Sequence, residues 1–384
     1  STTIPIFFRS LAEQDVSAST ASGIWALTTS VAVLILAVLS PFLGALADYK
    51  GMKKKMFSLF LLVGVIGLLL LSFSGNWISY MILFVITRIG YSACNIFYDS
   101  MLVDVTADDR MDRISSYGYA LGYIGSCIPF IIGILLILVR PFGLSTQAAT
   151  QISFVITALW WVGLTIPLLK NVHQTHYLEN RSNQVSHALS RIGQTLKKIR
   201  KNPSVLYFII AYFCYIDGVY TIISMATTYG GEVGISDTNM ILALLLTQFI
   251  AFPCAIFAGN LAEKVGTLKV IRVSILIYCG ICIFGYQLDK AWEFWVLAVV
   301  VGMAQGGIQS LSRSYFGRLI PKNESNEYFG FFDIFGKFAD FFGPMIMSFC
   351  ALVLGSSTYG ILGLLLLFVV GYILLRKIPE NQEK

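Results

Sequence analysis

The sequence predicts an all-α polytopic membrane protein, and three observations carry that prediction. The chain is 56% hydrophobic and only 12% charged, with a mean hydropathy of +0.74, outside the range of water-soluble domains. Apolar runs of membrane-spanning length recur along it. Basic residues gather on alternate loops between those runs.

The runs cover 21–47, 56–74, 77–100, 114–139, 148–169, 204–229, 238–262, 269–288, 291–312, 327–352 and 354–375. A helix needs ~20 apolar residues to cross ~30 Å of hydrocarbon, whereas a β-barrel would show only weak alternating segments. Eleven transmembrane helices are therefore expected. They are preceded by "STTIPIFF" at 1–8, whose helical rise of ~12 Å cannot cross. The chain starts with Ser and not Met, so this segment is expected to end a first span that is largely missing. The other spans are numbered two to twelve on that basis. A short re-entrant or interfacial arm is the alternative.

Lys and Arg placement sets the orientation. Of 27 such residues, 22 fall on one set of alternate loops and ends, clustered at 50–55, 110–113, 170–201, 264–272, 313–322 and 376–384. The other side has Arg9, Arg140 and Lys290, and Arg88 and Lys337 lie within spans. The rich side is cytoplasmic, which puts both ends of a full-length protein in the cytoplasm and suggests a bacterial inner membrane. The net charge of +6 then reports topology and not a nucleic-acid partner. The longest loop, 170–203, is also cytoplasmic. Its "SHALSRIGQTLKKIRKN" puts Leu189, Ile192, Leu196 and Ile199 on one helical face, as for a helix lying on the inner leaflet.

Cys94, Cys127, Cys214, Cys254, Cys279, Cys282 and Cys350 all fall inside spans, where small polarizable side chains pack well. A CxxC in an apolar helix is the wrong context for redox or zinc chemistry. His173, His176 and His187 lie in the linker and read as surface histidines. The sequence has no phosphate-binding P-loop, HExxH or nucleophile elbow, so nothing supports an enzyme, and no cofactor or metal is called for. A monomer in the lipid bilayer is expected.

The chain also repeats itself. "GALADYKGMKKK" at 44–55 corresponds to "GNLAEKVGTLKV" at 259–270, pairing Gly44 with Gly259, Asp48 with Glu263 and Gly51 with Gly266. "YDSMLVDVTADDR" at 98–110 matches the layout of "SRSYFGRLIPKNE" at 312–324, displaced by 214 residues. Each copy ends an even-numbered span on the cytoplasmic side. Two six-span halves in one orientation follow: 1–169, with span one truncated, and 204–384, joined by linker 170–203. Parallel repeats of this kind suit an alternating-access transporter.

"GALADYKG" followed by lysines resembles the signature loop between spans two and three of the major facilitator superfamily. Its glycines permit a tight turn and close helix approach. Its acid ends a helix at the negative pole of the dipole, where it needs a compensating partner. The resemblance implies a partner region at the start of span eleven and the end of span four, latching a cytoplasmic gate. It makes Asp48, Lys53, Lys54 and Asp99 gate candidates, with Glu263 and Arg313 their counterparts; loop-fixing ion pairs are the plainer alternative. More narrowly, "YIDGVYTI" at 215–222 and "GGIQSLSRSYFGRLIP…EYFGFFDIFGKFADFFGP" at 306–344 resemble the vacuolar-effluxer-like branch of bacteria and fungi. Its fungal members export amino acids from the vacuole. That branch's aromatic–Asp–aromatic–Ala–Asn start to span one is absent here.

Helical spacing sorts the polar residues inside spans. Arg88, Ser92, Asn95 and Asp99 form one stripe on span four. Asp217, Thr221, Ser224 and Thr228 repeat that spacing on span seven. Gln248 lies on span eight, and Gln305, Gln309, Ser312 and Arg313 on span ten. On span eleven Asp333, Lys337 and Asp340 lie within ~60° of arc, on a face flanked by glycines. Arg88, Gln248 and Lys337 are expected near the midplane, with Asp217 somewhat outside it. Arg88, Asp217, Asp333, Lys337 and Asp340 carry −1 if all ionise, so one carboxylate is protonated or matched by cargo or cation.

These residues predict a secondary transporter for a small polar solute, an amino acid or related carboxylate, with protons as a candidate coupling ion. Arg88 and Lys337 would hold a carboxylate, with Asn95, Gln248, Gln305 and Gln309 as further binding candidates. Asp217 would face an ammonium or carry the coupling proton, and Asp333 and Asp340 are further coupling candidates. The alternatives are a flippase or exporter of lysolipids or other amphiphiles, and a non-transporting receptor or scaffold.

Overall fold

The computed structural model describes residues 3–13, 15–180, 183–232, 234–354 and 358–379, except for some side chains within helices, among them those of Arg9, Thr228 and Asp340. Arg181 and Lys384, counted above among the basic residues, and Ser1 and Thr2 lie outside the described residues. The chain is helical along nearly its whole described length: α1 Thr3–Ala12, α2 Ala18–Ala47, α3 Met52–Ser72, α4 Trp77–Ser100, α5 Leu102–Val105, α6 Met111–Val139, α7 Thr146–Asn171, α8 Gln184–Lys201, α9 Pro203–Glu232, α10 Asp237–Val265, α11 Thr267–Gly285, α12 Ala291–Leu319, α13 Ser325–Leu354 and α14 Thr358–Arg376.

Side-chain caps start several helices, as the local sequence dictates. Asn76 accepts the Ile78 N–H at 2.7 Å, and Ser145 accepts the Ala148 N–H at 3.1 Å. Among the described residues ten helices are long and apolar enough to cross a membrane. The remaining expected span, 327–352, forms α13, which contains side chains outside the described set and is not one of the ten. The segment expected to end a first span is the ten-residue α1. It is packed and not splayed: Phe7 and Phe8 are buried, Phe7 lies 5.5 Å from the Tyr80 ring, and Tyr80 donates to the Ile4 carbonyl.

By contacts the chain sorts into two compact units, one of residues 1–104, 126–189 and 326–330, the other of 105–125, 190–325 and 331–384. In the first, α3 runs along α4 and α7, and α2 along α4. The start of the linker returns to the loop after α2: Leu178 donates to the Asp48 carbonyl at 2.8 Å and its own carbonyl accepts from Lys50 at 3.0 Å. In the second, α10 and α12 pack most extensively, with Ala255 and Ala258 against Gly306 and Gly307. Small residues let helices approach closely where lipid supplies no hydrophobic drive between them.

Two linker expectations change. Helix α8 buries Ala188, Thr195 and Ile199, so Ile199 belongs to a protein-facing stripe and not to one face with Leu189 and Leu196. His176 is not a plain surface histidine, because its backbone N–H donates to Asp104 at 3.0 Å and its Nδ1 lies 3.4 Å from that carboxylate.

Candidate functional site

In the first unit, the acid that ends α2 finds the partner its position demands. Asp48 is fully buried at the negative end of α2. Its Oδ1 accepts the backbone N–H of Asn326 at 2.9 Å and the Asn326 side-chain amide at 3.0 Å. Its Oδ2 accepts the Glu327 N–H at 3.4 Å. These are first-turn amides of α13, otherwise without intrahelical acceptors, so the positive end of α13 offsets the negative end of α2. The Asn326 carbonyl oxygen of the side chain accepts from Ser100, the last residue of α4. One turn before Asp48, a Cβ on Gly44 would collide with the Asn326 backbone carbonyl. Gly51 turns the chain with φ +72°.

Beside this contact, buried Lys53 reaches Asp104 at 2.5 Å and the Ser100 carbonyl at 3.2 Å. Asp104 also accepts from the Thr175 and His176 backbone amides, both at 3.0 Å. Lys54 is half-buried, with no hydrogen bond or ion pair among the described residues. Asp99 is half-buried.

The second unit repeats the arrangement with other charges. Gly259, the counterpart of Gly44, lies so close to Ser116 and the Asp112 carbonyl at the start of α6 that a Cβ would clash. Gly266, the counterpart of Gly51, turns the chain with φ +98°. Asp112 takes a bidentate contact from Arg318, at 2.9 and 3.0 Å, with further bonds from Thr267 at 2.6 Å and from Ser314. The displacement of 214 residues pairs Ser100 with Ser314, Asn326 with Asp112 and Asp104 with Arg318. Equivalent positions meet, but the buried acid sits on the α2 end in one copy and on the start of α6 in the other. Glu263, the repeat partner of Asp48, is exposed; with Asp112 supplying the carboxylate, that position needs none. Arg313 is buried, donating to the Ser115 hydroxyl at 2.9 Å and carbonyl at 3.0 Å, with its guanidinium 4.7 Å from the Tyr119 ring centre.

Asp104, Asp112, Asn326 and Arg318 were not among the expected site residues. The displaced repeat was the signal that could have found them.

The mid-span candidates divide between the units. Arg88 and Asn95 in the first are half-buried, and Ser92 on their stripe is buried. In the second, buried Asp217 accepts the Gly343 N–H at 2.9 Å, just before Pro344 in α13. Lys337 pairs with Asp333 at 3.2 Å, the side chains being 12% and 14% exposed. The Asp340 side chain lies outside the described residues. Gln309 accepts from Tyr123 at 2.7 Å, whereas the buried Gln305 side-chain oxygen has no hydrogen-bond partner among the described residues. Gln248 and Gln305 also line a cavity of about 100 Å³ within the second unit, otherwise walled mostly by aliphatic and aromatic side chains such as Ile223, Leu244, Phe294 and Leu364.

The chain matches the family described as vacuole effluxer Atg22 like over residues 16–110 and 103–384. It is 43% identical over 383 residues to an uncharacterized MFS-type transporter, YxiO, of Bacillus subtilis, covering 98% of this chain and 90% of that protein. Autophagy-related protein 22-1 of Penicillium rubens is 28% identical over 267 residues, covering 61% of this chain and 43% of that protein. Among solved structures, the proton:xylose symporter XylE superposes with a TM-score of 0.76 at 13% identity, covering 97% and 90% of the two chains. The major facilitator transporter FucP superposes with a TM-score of 0.70 at 14% identity, covering 98% and 97%. The fold is that of the superfamily, and the family match spans nearly the whole chain. The chain is an integral membrane transporter of the major facilitator superfamily and belongs to its vacuole effluxer Atg22 like family.

Proposed function

We propose that the protein is a secondary active transporter for a small polar solute, an amino acid or related carboxylate, coupled to protons. Its repeat-related halves, 1–169 and 204–384, would alternate access while joined by linker 170–203. The observation that carries this reading is the Lys337–Asp333 ion pair within a membrane helix. Charges at such depth cost ~2.5–3.5 kcal/mol each on insertion scales and mark pathways. An apolar cargo gives no reason to keep them.

In this reading Lys337 binds a solute carboxylate, with Arg88 a second cation for it. Asn95, Gln248, Gln305 and Gln309 supply hydrogen bonds, Gln309 after releasing Tyr123. Asp217 carries the coupling proton, with Asp333 and Asp340 as further coupling groups. Asp48, Lys53, Asp99 and Arg313 form the cytoplasmic gate; Lys54, which pairs with nothing among the described residues, and exposed Glu263 fall outside it. The effluxer name of the family supports outward movement. The apolar cavity would suit an amphiphile best, but at about 100 Å³ it takes a group smaller than the cavity that holds benzene, of ~150 Å³.

The test begins with a thermal-shift screen of metabolites and lipids on purified protein, followed by calorimetry with the solutes that stabilise it. Lys337→Met is expected to lose most affinity and Lys337→Arg to keep part, since Arg retains the charge but not the compact ammonium. The triple variant Asp333→Asn/Lys337→Met/Asp340→Asn is expected to fold and still fail to bind. Undiminished affinity in the triple variant would leave Lys337 a structural ion and overturn this assignment.

A further inference from the structure

Helix α8, in the linker, presents an apolar stripe that the described residues do not cover. Val185, Leu189 and Leu196 are 56%, 57% and 55% exposed. At ~100° per residue they fall within ~40° of arc, centred ~80° from the protein-facing stripe of Ala188, Thr195 and Ile199. Arg200 and Lys197 follow on the far side of the exposed stripe, and both are exposed. The 18-residue helix has five basic residues, Arg191, Lys197, Lys198, Arg200 and Lys201, and no acidic one. Aliphatic side chains standing out of a cationic helix are poorly matched to water, and they suit a surface that is apolar beneath and negative above.

On the opposite flank, ~160° from the apolar stripe, Lys198 contacts both carboxylate oxygens of Glu324 at 2.9 Å. Glu324 closes the short turn Lys322–Glu324, one residue before α13 begins. One side of α8 thus offers itself to a membrane while the other holds the turn that leads into the helix carrying Lys337.

We propose that α8 docks on anionic phospholipid of the cytoplasmic leaflet through Val185, Leu189, Leu196, Lys197 and Arg200, and that the Lys198–Glu324 pair passes this docking to the turn before α13. The bound lipid face fixes the roll of α8 about its axis, and that roll sets where Lys198 points. Docking therefore steadies the turn through the pair.

The test is amide hydrogen exchange on the full chain in nanodiscs of phosphatidylcholine alone or mixed with phosphatidylglycerol. In the wild type, phosphatidylglycerol is expected to slow exchange about threefold or more across 185–200, and in parallel across 320–325. Leu189→Ser/Leu196→Ser is expected to lose both responses, and Lys197→Gln/Arg200→Gln to weaken both. Lys198→Gln is expected to keep the α8 response and lose that of 320–325. Equal exchange in the two lipids would overturn the docking. So would the same protection from inorganic phosphate added to phosphatidylcholine discs, which would assign the cations to a soluble anion. Protection by polyglutamate without a lipid response would assign the face to an acidic protein and also overturn it. An unchanged 320–325 response in Lys198→Gln would overturn the transmission.

Discussion

Asp48 and Asn326 meet through a side-chain carboxylate and a backbone N–H, 2.9 Å apart, although 278 positions separate them in sequence. The contact joins the negative end of α2 to the positive end of α13. Each helix end supplies what the other lacks, which is why a fully buried acid is tolerated at the end of α2.

Replacing Asp48 with Asn keeps an acceptor but removes its charge. Charge-assisted hydrogen bonds are about twice as strong as neutral ones, so a loss of about 1–2 kcal/mol is expected across this contact. Amide exchange at 326–330 should rise about 5–30-fold while exchange across α10 and α12 stays unchanged. Unaltered exchange at 326–330 would show that the carboxylate is not what secures the start of α13.

The repeat-related glycines should behave alike. Gly44→Ala and Gly259→Ala each place a methyl against a neighbouring helix start, and overpacking of this kind costs about 1–3 kcal/mol. Gly122→Ala, in the same protein, has open space around its Cβ and should gain up to about 1 kcal/mol from helix propensity. Thermal unfolding of the three variants in one detergent checks the order.

The Asp112–Arg318 contact should be strongly coupled. The Asp112 carboxylate is buried but Arg318 is partly exposed, so Arg318→Met and Asp112→Asn are each expected to cost up to about 3 kcal/mol, the low end for a buried pair. The double variant should be less damaging than the two losses added together, with a coupling energy above about 1 kcal/mol in a double-mutant cycle. Additive losses would mean that Thr267 and Ser314 carry the site instead.

Asp217 calls for two substitutions. Asp217→Asn preserves an acceptor for the Gly343 N–H and should leave folding intact while abolishing drive by an imposed pH gradient, with solute exchange retained. Asp217→Ala removes that acceptor and should also lower thermal stability by about 1 kcal/mol. Equal gradient-driven transport in Asp217→Asn and the wild type, measured in proteoliposomes, would exclude Asp217 as the proton site.

The helices were legible because lipid leaves a spanning chain few options. Every backbone group must be paired within the segment, so an apolar run of sufficient length has to be a helix, and Lys and Arg choose its direction. The glycine roles were legible too: the repeat linked Gly44 to Gly259 and Gly51 to Gly266, and each pair proves to share one job, close approach in the first and a positive-φ turn in the second. Asp333 and Lys337, one turn apart on a single helix, form an ion pair that their spacing permits.

The partners of the buried charges were not legible. Asp104, Asp112, Asn326 and Arg318 lie in polar stretches at helix ends, where local sequence marks nothing beyond solvated loop. Their weight comes from burial against elements as many as 278 positions away, and spacing along a helix reports only neighbours three or four residues apart. Glu263 makes the same point in reverse. It matches Asp48 in the repeat yet stays in solvent, because the carboxylate that its copy requires arrives from Asp112 on another helix. Periodicity tells which side chains share a face; the packing of whole helices decides what that face will meet.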